Sequence, residues 1–454
     1  MFRPQANYPL PFCFSYLMNP LLTAAAAVVL CFLLHGAAVS GDRPFPPRFT
    51  SIFSFGSSYS DTGNFVLQSA GLPSIPFNHS PYGDTFFRRP TGRPSDGRLP
   101  IDFIAEALGL PLVPPFLAKE ANDFGGGGGA NFAIVGGTAL DVGFFIRHNN
   151  ASVPPFQSSL RVQIGWFRSL LRRGGNATAA AAAERLATAL FVVGEFGGSD
   201  YRYLLSGGKS LEQAKSFVPE VVRAICRGVE RLVEEGARYV VVTGTLPAGC
   251  MPMELTKYAA AAAGAANASS TAAAVYDRRT GCLRRLNGLA QYHNWVLREA
   301  VERMRGKYPT TKLVYADFYK PQPLKACCGG GGPYNYNPGA ACGSPGASTC
   351  GDPSAYVNWD GIHLTEAAYK YVAGGWLNGV YAYPLNEVIQ KFSFTSTATA
   401  IIGLTPPGDD QVKHTFIQCG CNRSAYVTKK RQIIIKVQGP WADLAQQGSS
   451  PRHE

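Results

Sequence analysis

Two adjacent serines follow the first strand that the sequence predicts. The apolar run from Ile52 to Phe55 is typical of a buried strand, and it breaks at Gly56 into small polar residues that can start a helix. In an open parallel sheet, ligands bind beyond the carboxyl ends of the strands, so the hydroxyl of Ser58 would point into that crevice. The spare backbone N–H groups of the turn would face a developing oxyanion there. Taken alone, a glycine and serine cluster after a strand is usually only turn chemistry.

A candidate base lies far downstream, in the segment 358–364 with the sequence NWDGIHL. A serine hydroxyl becomes a nucleophile when a histidine accepts its proton and a carboxylate holds the other nitrogen of that histidine. His363 and Asp360 could fill these roles for Ser58. In the alternative interpretation, Asp360 caps the helix predicted over residues 365–372 and His363 is a surface residue in its first turn.

These segments resemble the sequence blocks of plant GDSL-type esterase/lipases, the SGNH hydrolases. The resemblance extends from about Phe49 to Pro384 and includes a glycine pair at 136–137 and the segment 197–200. The catalytic residues that it implies are Ser58, Asp360 and His363, and the oxyanion-hole residues are Ser58, Gly136 and Ser199. We expect neither a metal ion nor a cofactor.

Two positions depart from the family pattern. The first block normally has Asp before the nucleophile, and this chain has Ser57, so a carboxylate is missing unless a neighbour supplies one. The third block normally reads Gly-x-Asn-Asp, and here Ser199 replaces the Asn. A serine hydroxyl can still donate to an oxyanion, but it is shorter than an amide and its hydrogen rotates freely.

Two functions therefore stay open. The first is a secreted carboxylic ester hydrolase, slowed by the serine at position 199. The resemblance implies acetylated wall polysaccharides or small phenolic or alkaloid esters as its substrates. The second is a catalytically degenerate member that binds acylated glycans or lipids without turnover. Ser58, Asp360 and His363 favour the first function, whereas Ser57 and Ser199 favour the second.

Strands that alternate with helices predict one large α/β domain or two small ones. Five strand–helix repeats, together with the resemblance, predict a three-layer α/β/α sandwich around a five-stranded parallel, flavodoxin-like sheet. Long amphipathic helices are predicted over 160–171, 210–235 and 283–305. The glycine run 125–129 is predicted to be a flexible linker. The alanine run 177–183 is predicted to be either helix or loop, and the run 259–274 an exposed loop.

Residues 1–40 have the features of a secretory signal peptide. The apolar run 21–34 is too short to cross a bilayer comfortably and is followed by small residues, which predicts cleavage near Ser40. A membrane anchor is the alternative. The prediction places a hydrolase domain at 41–384 and a C-terminal extension of unknown role at 385–454. The expected location is extracellular or in the cell wall, with no stable insertion into a membrane.

The chain has a net charge of +12, or +11 once Arg3 is removed with the leader. A basic secreted protein tends to adhere to acidic polymers such as pectin-like walls. No run of basic residues is interleaved with stacking aromatic residues, so we expect no nucleic-acid partner. The expected ligand is a small-molecule or polysaccharide ester.

Nine of the eleven cysteines follow the predicted leader. Their spacing does not suit a metal, and disulfides are the default in an oxidising compartment. The odd number leaves at least one thiol without an intramolecular partner, and Cys226, inside a predicted helix, is our candidate. The resemblance implies a Cys250–Cys282 disulfide, and the segment 327–350 is predicted to be a disulfide-pinned loop that positions the base. Glycosylation sequons begin at Asn78, Asn150, Asn176, Asn267 and Asn422.

Overall fold

The computed structural model describes residues 49–70, 75–118, 128–149, 152–173, 178–263, 275–319 and 324–384, together with three short strands between residues 417 and 437. The chain divides into two compact units, Met1–Gln390 and Lys391–Glu454. The predicted signal peptide and most of the predicted C-terminal extension lie outside the described residues. So do the sequons at Asn150, Asn176, Asn267 and Asn422.

A sheet of parallel strands forms the centre of the first unit. The strands of this unit are β1 (Ser51–Phe55), β2 (Gly128–Asn131), β3 (Ala189–Val193), β4 (Tyr239–Thr243), β5 (Lys312–Ala316), β6 (Cys328–Gly329), β7 (Ser348–Thr349) and β8 (Ala382–Tyr383). The order β2-β1-β3-β4-β5 is that of flavodoxin-like sheets. Phe53 of β1 lies opposite Ala130 and Phe191 in the two neighbouring strands. Strand β8 adds a short antiparallel edge beside β5, which the sequence did not predict.

Helices cover both faces of this sheet. They are α1 (Asn64–Gln68), α2 (Pro100–Ala107), α3 (Val142–His148), α4 (Leu160–Arg173), α5 (Ala179–Ala187), α6 (Gly198–Ser206), α7 (Leu211–Ser216), α8 (Val218–Glu234), α9 (Pro252–Ala263), α10 (Arg284–Lys307) and α11 (Glu366–Leu377). Successive strand residues face opposite sides, so Phe53 packs with Phe167 of α4, whereas Ile52 packs in a separate core with Tyr369 of α11. The predicted three-layer α/β/α sandwich is confirmed.

Two local predictions differ from the structure. The helix predicted over 210–235 is interrupted at Phe217, because Pro219 cannot continue the hydrogen-bond ladder of α7 and instead occupies the first turn of α8. The glycine run is not only a linker, since Gly128 and Gly129 belong to β2. Gly129 has φ +92°, and a Cβ atom on it would lie 1.8 Å from the carbonyl oxygen of Ile52, so close strand pairing requires glycine there.

The alanine runs are helical where they are described. Part of the first run forms α5, which begins after Thr178, whose side chain accepts a hydrogen bond from the amide N–H of Ala181. The second run was predicted to be a loop, but its first residues continue α9 as far as Ala263. The remainder, 264–274, lies outside the described residues. No helix among the described residues is long and apolar enough to cross a membrane.

Three disulfides link the described cysteines. Cys250 bonds to Cys282, as the resemblance implied. Cys327 bonds to Cys350, and Cys328 bonds to Cys342. Among the described cysteines of the first unit, Cys226 is the free one. It is half-buried against the core.

The second unit contains a three-stranded antiparallel sheet. Its strands are β9 (Ile417–Cys419), β10 (Arg423–Val427) and β11 (Ile433–Val437), and β10 lies between the other two. Only the last of these strands coincides with the β-like run at 432–437 that the sequence shows.

Candidate active site

An acid–base pair lies in the loop that leads into α11. The Nδ1 atom of His363 lies 2.7 Å from Oδ2 of Asp360. The other carboxylate oxygen accepts the backbone N–H groups of Ile362 at 3.0 Å and of His363 at 2.8 Å. Burial disfavours the charged carboxylate, but the charge and hydrogen bonds of His363 outweigh it and hold the pKa of Asp360 below its usual value. This loop therefore presents His363 with its Nδ1 oriented by a carboxylate.

The helix-cap interpretation of this pair is wrong. The residue that caps α11 is Thr365, whose Oγ1 atom accepts the N–H of Ala368 at 3.3 Å. Asp360 and His363 are both buried, with side chains 6% and 4% exposed. They are thus neither a helix cap nor a surface histidine.

The candidate nucleophile, Ser58, lies in the turn after β1. Gly56 ends the strand with φ +156°, and a Cβ atom there would lie only 3.1 Å from the side chain of Ser60. The turn closes with a hydrogen bond of 3.2 Å from the N–H of Ser60 to the carbonyl oxygen of Ser57. Ser58 is 7% exposed, and it lines a cavity that also contains His363.

Gly136 lies in the turn after β2 and faces the same cavity. It has φ +77°, and a Cβ atom on it would lie 3.2 Å from the hydroxyl of Tyr203. The N–H of the preceding residue, Val135, donates to Oδ2 of Asp61 at 2.9 Å. Asp61 also accepts the N–H of Gly63 at 2.8 Å and that of Asn64 at 2.7 Å, so one carboxylate joins the turn after β2 to the segment that follows Ser58. Burial raises the pKa of Asp61 to about 6.

Ser199 lies in the first turn of α6, half-buried at the cavity wall. Its neighbour Asp200 accepts the N–H groups of Ala139 and Leu140 at 2.9 Å each, and that of Gly197 at 3.2 Å. This carboxylate holds the third block against the chain that follows Gly136. Burial raises the pKa of Asp200 to about 6.

A second buried histidine, His293, lies beneath the third block. A Cβ atom on Gly197 would lie 2.6 Å from its Cε1 atom, so this close approach requires glycine at position 197. Its Nδ1 atom lies 2.7 Å from the hydroxyl of Tyr201. Burial lowers the pKa of His293 to about 3, which keeps the ring neutral. It supports the loop rather than competing with His363 as a base.

One cavity of about 440 Å³ brings together the predicted residues Ser58, Gly136, Ser199 and His363, and Asp360 lies behind His363. Much of its wall is apolar and is formed by Phe77, Val135, Leu205, Leu246, Met251, Met253, Leu286, Leu289 and Ile362. Arg202, Glu254 and Lys257 also line it. No cluster of three His, Cys, Asp or Glu residues that could hold a metal occurs in the described parts of the chain.

Sequence reasoning missed two residues of this site. The phenol of Tyr82 donates to Oδ2 of Asp360 at 2.9 Å. Glu195 follows β3 and contacts the turn of Ser58, where its Oε1 atom accepts the hydroxyl of Ser57 at 2.5 Å. The signal for Glu195 was a charged residue two positions after an apolar strand, at the edge of the sheet where ligands bind. Tyr82 had no comparable signal within its loop.

Comparison with known proteins identifies the family of the chain. The model of the family described as GDSL-like lipase/acylhydrolase matches residues 52–376. The chain belongs to this family. A GDSL esterase/lipase from Arabidopsis thaliana is 41% identical over 357 residues, which are 74% of this chain and 92% of the relative. A sinapine esterase from Brassica napus is 39% identical over 371 residues, 78% of this chain and 92% of the relative.

Membership in the GDSL-like family makes the chain a plant hydrolase of ester bonds. Another GDSL esterase/lipase from Arabidopsis thaliana is 39% identical over 396 residues, covering 82% of this chain and 96% of the relative. The matched span contains all of the candidate site residues of this GDSL-like hydrolase, from Ser58 to His363. Ser57 and Ser199 both lie within the matched span.

Proposed function

We propose that the chain is a secreted carboxylic ester hydrolase that uses Ser58, His363 and Asp360 as a catalytic triad. The observation that carries this proposal is that Ser58 and His363 line one cavity while Asp360 holds Nδ1 of His363 at 2.7 Å. That contact fixes the tautomer in which Nε2 of His363 is free to accept a proton.

The chemistry has two halves. In the first, the Oγ atom of Ser58 attacks the ester carbonyl while Nε2 of His363 takes the hydroxyl proton. The carbonyl oxygen becomes an oxyanion, which the N–H groups of Ser58 and Gly136 and the hydroxyl of Ser199 stabilise. His363 returns the proton to the leaving alcohol and an acyl-serine remains. In the second half, a water gives a proton to His363 and attacks the acyl group. His363 then returns that proton to Oγ of Ser58 as the carboxylic acid leaves.

The walls of the cavity favour an ester with a compact apolar acyl or alcohol group. Leu286 and Leu289 of α10 and Met253 of α9 extend the apolar surface away from Ser58. Burying such a group contributes about 25 cal/mol per Å² of apolar surface. Since one relative is a sinapine esterase, sinapine belongs in the substrate panel beside acetylated wall polysaccharide and other small phenolic esters.

The alternative is a degenerate member that binds acylated glycans or lipids without turnover. Ser199 favours it, because a freely rotating hydroxyl is a less pre-organised oxyanion donor than an amide. Loss of one such donor slows a hydrolase by about 10² to 10³ but does not abolish its activity.

A serine-reactive phosphonate and a chromogenic ester distinguish the two functions. We expect the purified protein to be labelled on Ser58 and to hydrolyse the ester, and we expect Ser58→Ala to lose both properties. Labelling without turnover would favour the degenerate function. Hydrolysis that persists in Ser58→Ala would exclude the proposed nucleophile. Ser216→Ala serves as the matched control, because it removes an exposed serine hydroxyl on α7, outside the cavity.

We also propose that the protein follows the secretory route and is glycosylated. The disulfides at 250–282, 327–350 and 328–342 support an oxidising compartment. Asn78 is exposed, as a glycosylation acceptor must be. Mass spectrometry of protein secreted by plant cells should find a glycan on Asn78 and an N-terminus near Gly41. Retention of residues 1–40 in the purified protein would contradict this proposal.

A basic cleft on the first unit supports adhesion to acidic wall polymers. A cavity of about 440 Å³ between α3, α4 and α8 is lined by four arginines and two carboxylates, namely Arg147, Arg161, Arg227, Arg231, Asp141 and Glu220. On a polygalacturonate column, Arg227→Glu combined with Arg231→Glu should lower the salt concentration of elution, because each reversal removes an attraction to the polymer. Arg223→Glu combined with Arg303→Glu reverses the same number of charges at two exposed arginines outside the cleft, and is the matched control for net charge.

A further inference from the structure

Glu195 lies two residues beyond β3 and is 3% exposed. Its Oε1 atom accepts the N–H of Ser57 at 3.1 Å and the N–H of Tyr59 at 3.3 Å, in addition to the Ser57 hydroxyl. Its Oε2 atom accepts the hydroxyl of Ser60 at 3.1 Å. All these donors belong to the turn after β1, so a carboxylate from a neighbouring strand is dedicated to the turn that carries Ser58.

The two amides that Glu195 accepts flank Ser58. They belong to Ser57 and Tyr59, whereas the N–H of Ser58 donates to no partner among the hydrogen bonds of the described residues. An N–H group without a protein acceptor at a cavity wall is free to meet a ligand. The contacts to Glu195 thus leave the N–H of Ser58 free, and this is the amide that an oxyanion at Ser58 would need.

We propose that Glu195 is a positioning residue that replaces the carboxylate missing at position 57. By holding the amides on both sides of Ser58, it fixes the turn so that the N–H and the hydroxyl of Ser58 face the cavity. This inference rests on the proposed function, since it assigns Glu195 a role in the reaction of Ser58. The inference also gives Ser57 a role, because its hydroxyl donates to Glu195. An aspartate at position 57 would instead place a second carboxylate beside Glu195, and the two acids would have to share a proton.

A carboxylate suits this role better than an amide would. An ionised carboxylate offers acceptor sites on both oxygens, and Glu195 receives three donors on Oε1 and one on Oε2. A glutamine would place an NH₂ group on one side and accept more weakly on the other. An alanine would leave the amides of Ser57 and Tyr59 buried without an acceptor, and the turn would rearrange to satisfy them.

The test measures kcat and KM for a small activated ester. Glu195→Ala should lower kcat by about ten- to a hundredfold with KM little changed, because the Ser58 amide acts on charge that develops in the transition state. Glu195→Gln should lower kcat by only about threefold, since it keeps an acceptor in place. Ser57→Asp should recover part of the loss in the Glu195→Ala background, because an Asp side chain can accept the N–H two residues on, that of Tyr59.

A purely structural role makes a different prediction. Val229→Ala removes two methyl groups from the core contact of α8, away from the cavity, and should lower Tm without lowering kcat well below that Tm. If Glu195→Ala behaves like Val229→Ala, or keeps the native kcat, the inference is overturned. If Glu195→Ala does not fold, Glu195→Gln decides, and a native kcat in that variant overturns the inference.

Ser58→Ala separates this inference from the proposed function. If Ser58→Ala remains active, the proposed nucleophile is wrong and the role of Glu195 falls with it. If Ser58→Ala is inactive while Glu195→Ala retains full kcat, the proposed function stands and the inference alone fails.

Discussion

The phenol of Tyr82 and the imidazole of His363 contact the same carboxylate oxygen, Oδ2 of Asp360, at 2.9 and 2.7 Å. Tyr82 is buried against Phe77 and Trp359. Burial raises the pKa of Tyr82 well above its usual value, so the phenol stays protonated and remains a donor. The acid of the proposed triad therefore has a second donor from a loop far away in sequence.

Tyr82→Phe should lower kcat/KM. The phenol donates to the carboxylate oxygen that holds Nδ1 of His363, so without it Asp360 orients the imidazole less firmly. Activity at neutral pH should fall by about three- to tenfold, as one hydrogen bond of about 1 kcal/mol implies. The phenylalanine keeps the ring contacts with Phe77 and Trp359, so Tm should change little. A native kcat/KM in Tyr82→Phe would show that the contact does not affect catalysis.

Local sequence patterns predicted most of this fold and part of its site. Ser58 and the pair Asp360 and His363 lie in short segments whose strand, turn and helix signals are local. Glu195 and Tyr82 could not be predicted to join them, because their contacts span 138 and 278 residues and depend on how strands and loops meet. The sequence shows that position 57 lacks an acid. It could not show that Glu195 lies beside this position, because that depends on the pairing of β1 with β3, which the order of the residues alone does not give.

Reduction of the disulfides near the base loop should lower activity before it unfolds the sheet. The N–H groups of Cys327 and Cys328 donate to the carbonyl oxygens of Asn358 at 3.0 Å and Trp359 at 2.7 Å, so these bridges brace the segment just before Asp360. Without them, a glycine-rich loop must be ordered at a larger cost in conformational entropy.

The measurement follows ester hydrolysis and far-UV circular dichroism during mild reduction. Cys226→Ser is the matched control, because burial raises the pKa of the Cys226 thiol to about 11 and its loss should leave the time course unchanged. A simultaneous loss of activity and helix signal would contradict the prediction.

Asp61 and Asp200 should make the protein less stable as pH rises. Burial raises the pKa of each from 3.8 to about 6, so the folded chain retains protons that the unfolded chain releases. Their contribution to the free energy of unfolding is therefore fully present below pH 3.8 and is lost as pH rises through about 6. Asp61→Asn and Asp200→Asn should each flatten the change of Tm between about pH 4 and about pH 7, relative to the native chain. Parallel Tm profiles would mean that neither carboxyl titrates in this range.

Ser199→Asn should raise kcat on a small activated ester by about ten- to a hundredfold. The amide is a fixed donor at the N-terminus of α6, whereas the hydroxyl of Ser199 is short and rotates freely. KM should change less, because the donor acts mostly on the charge of the transition state. Ser58→Ala should abolish the activity of both forms. If Ser199→Asn leaves kcat unchanged while Ser58→Ala still abolishes it, the hydroxyl of Ser199 is already an adequate donor. If neither substitution changes the measured rate, Ser58 is not the nucleophile and the proposed function is wrong.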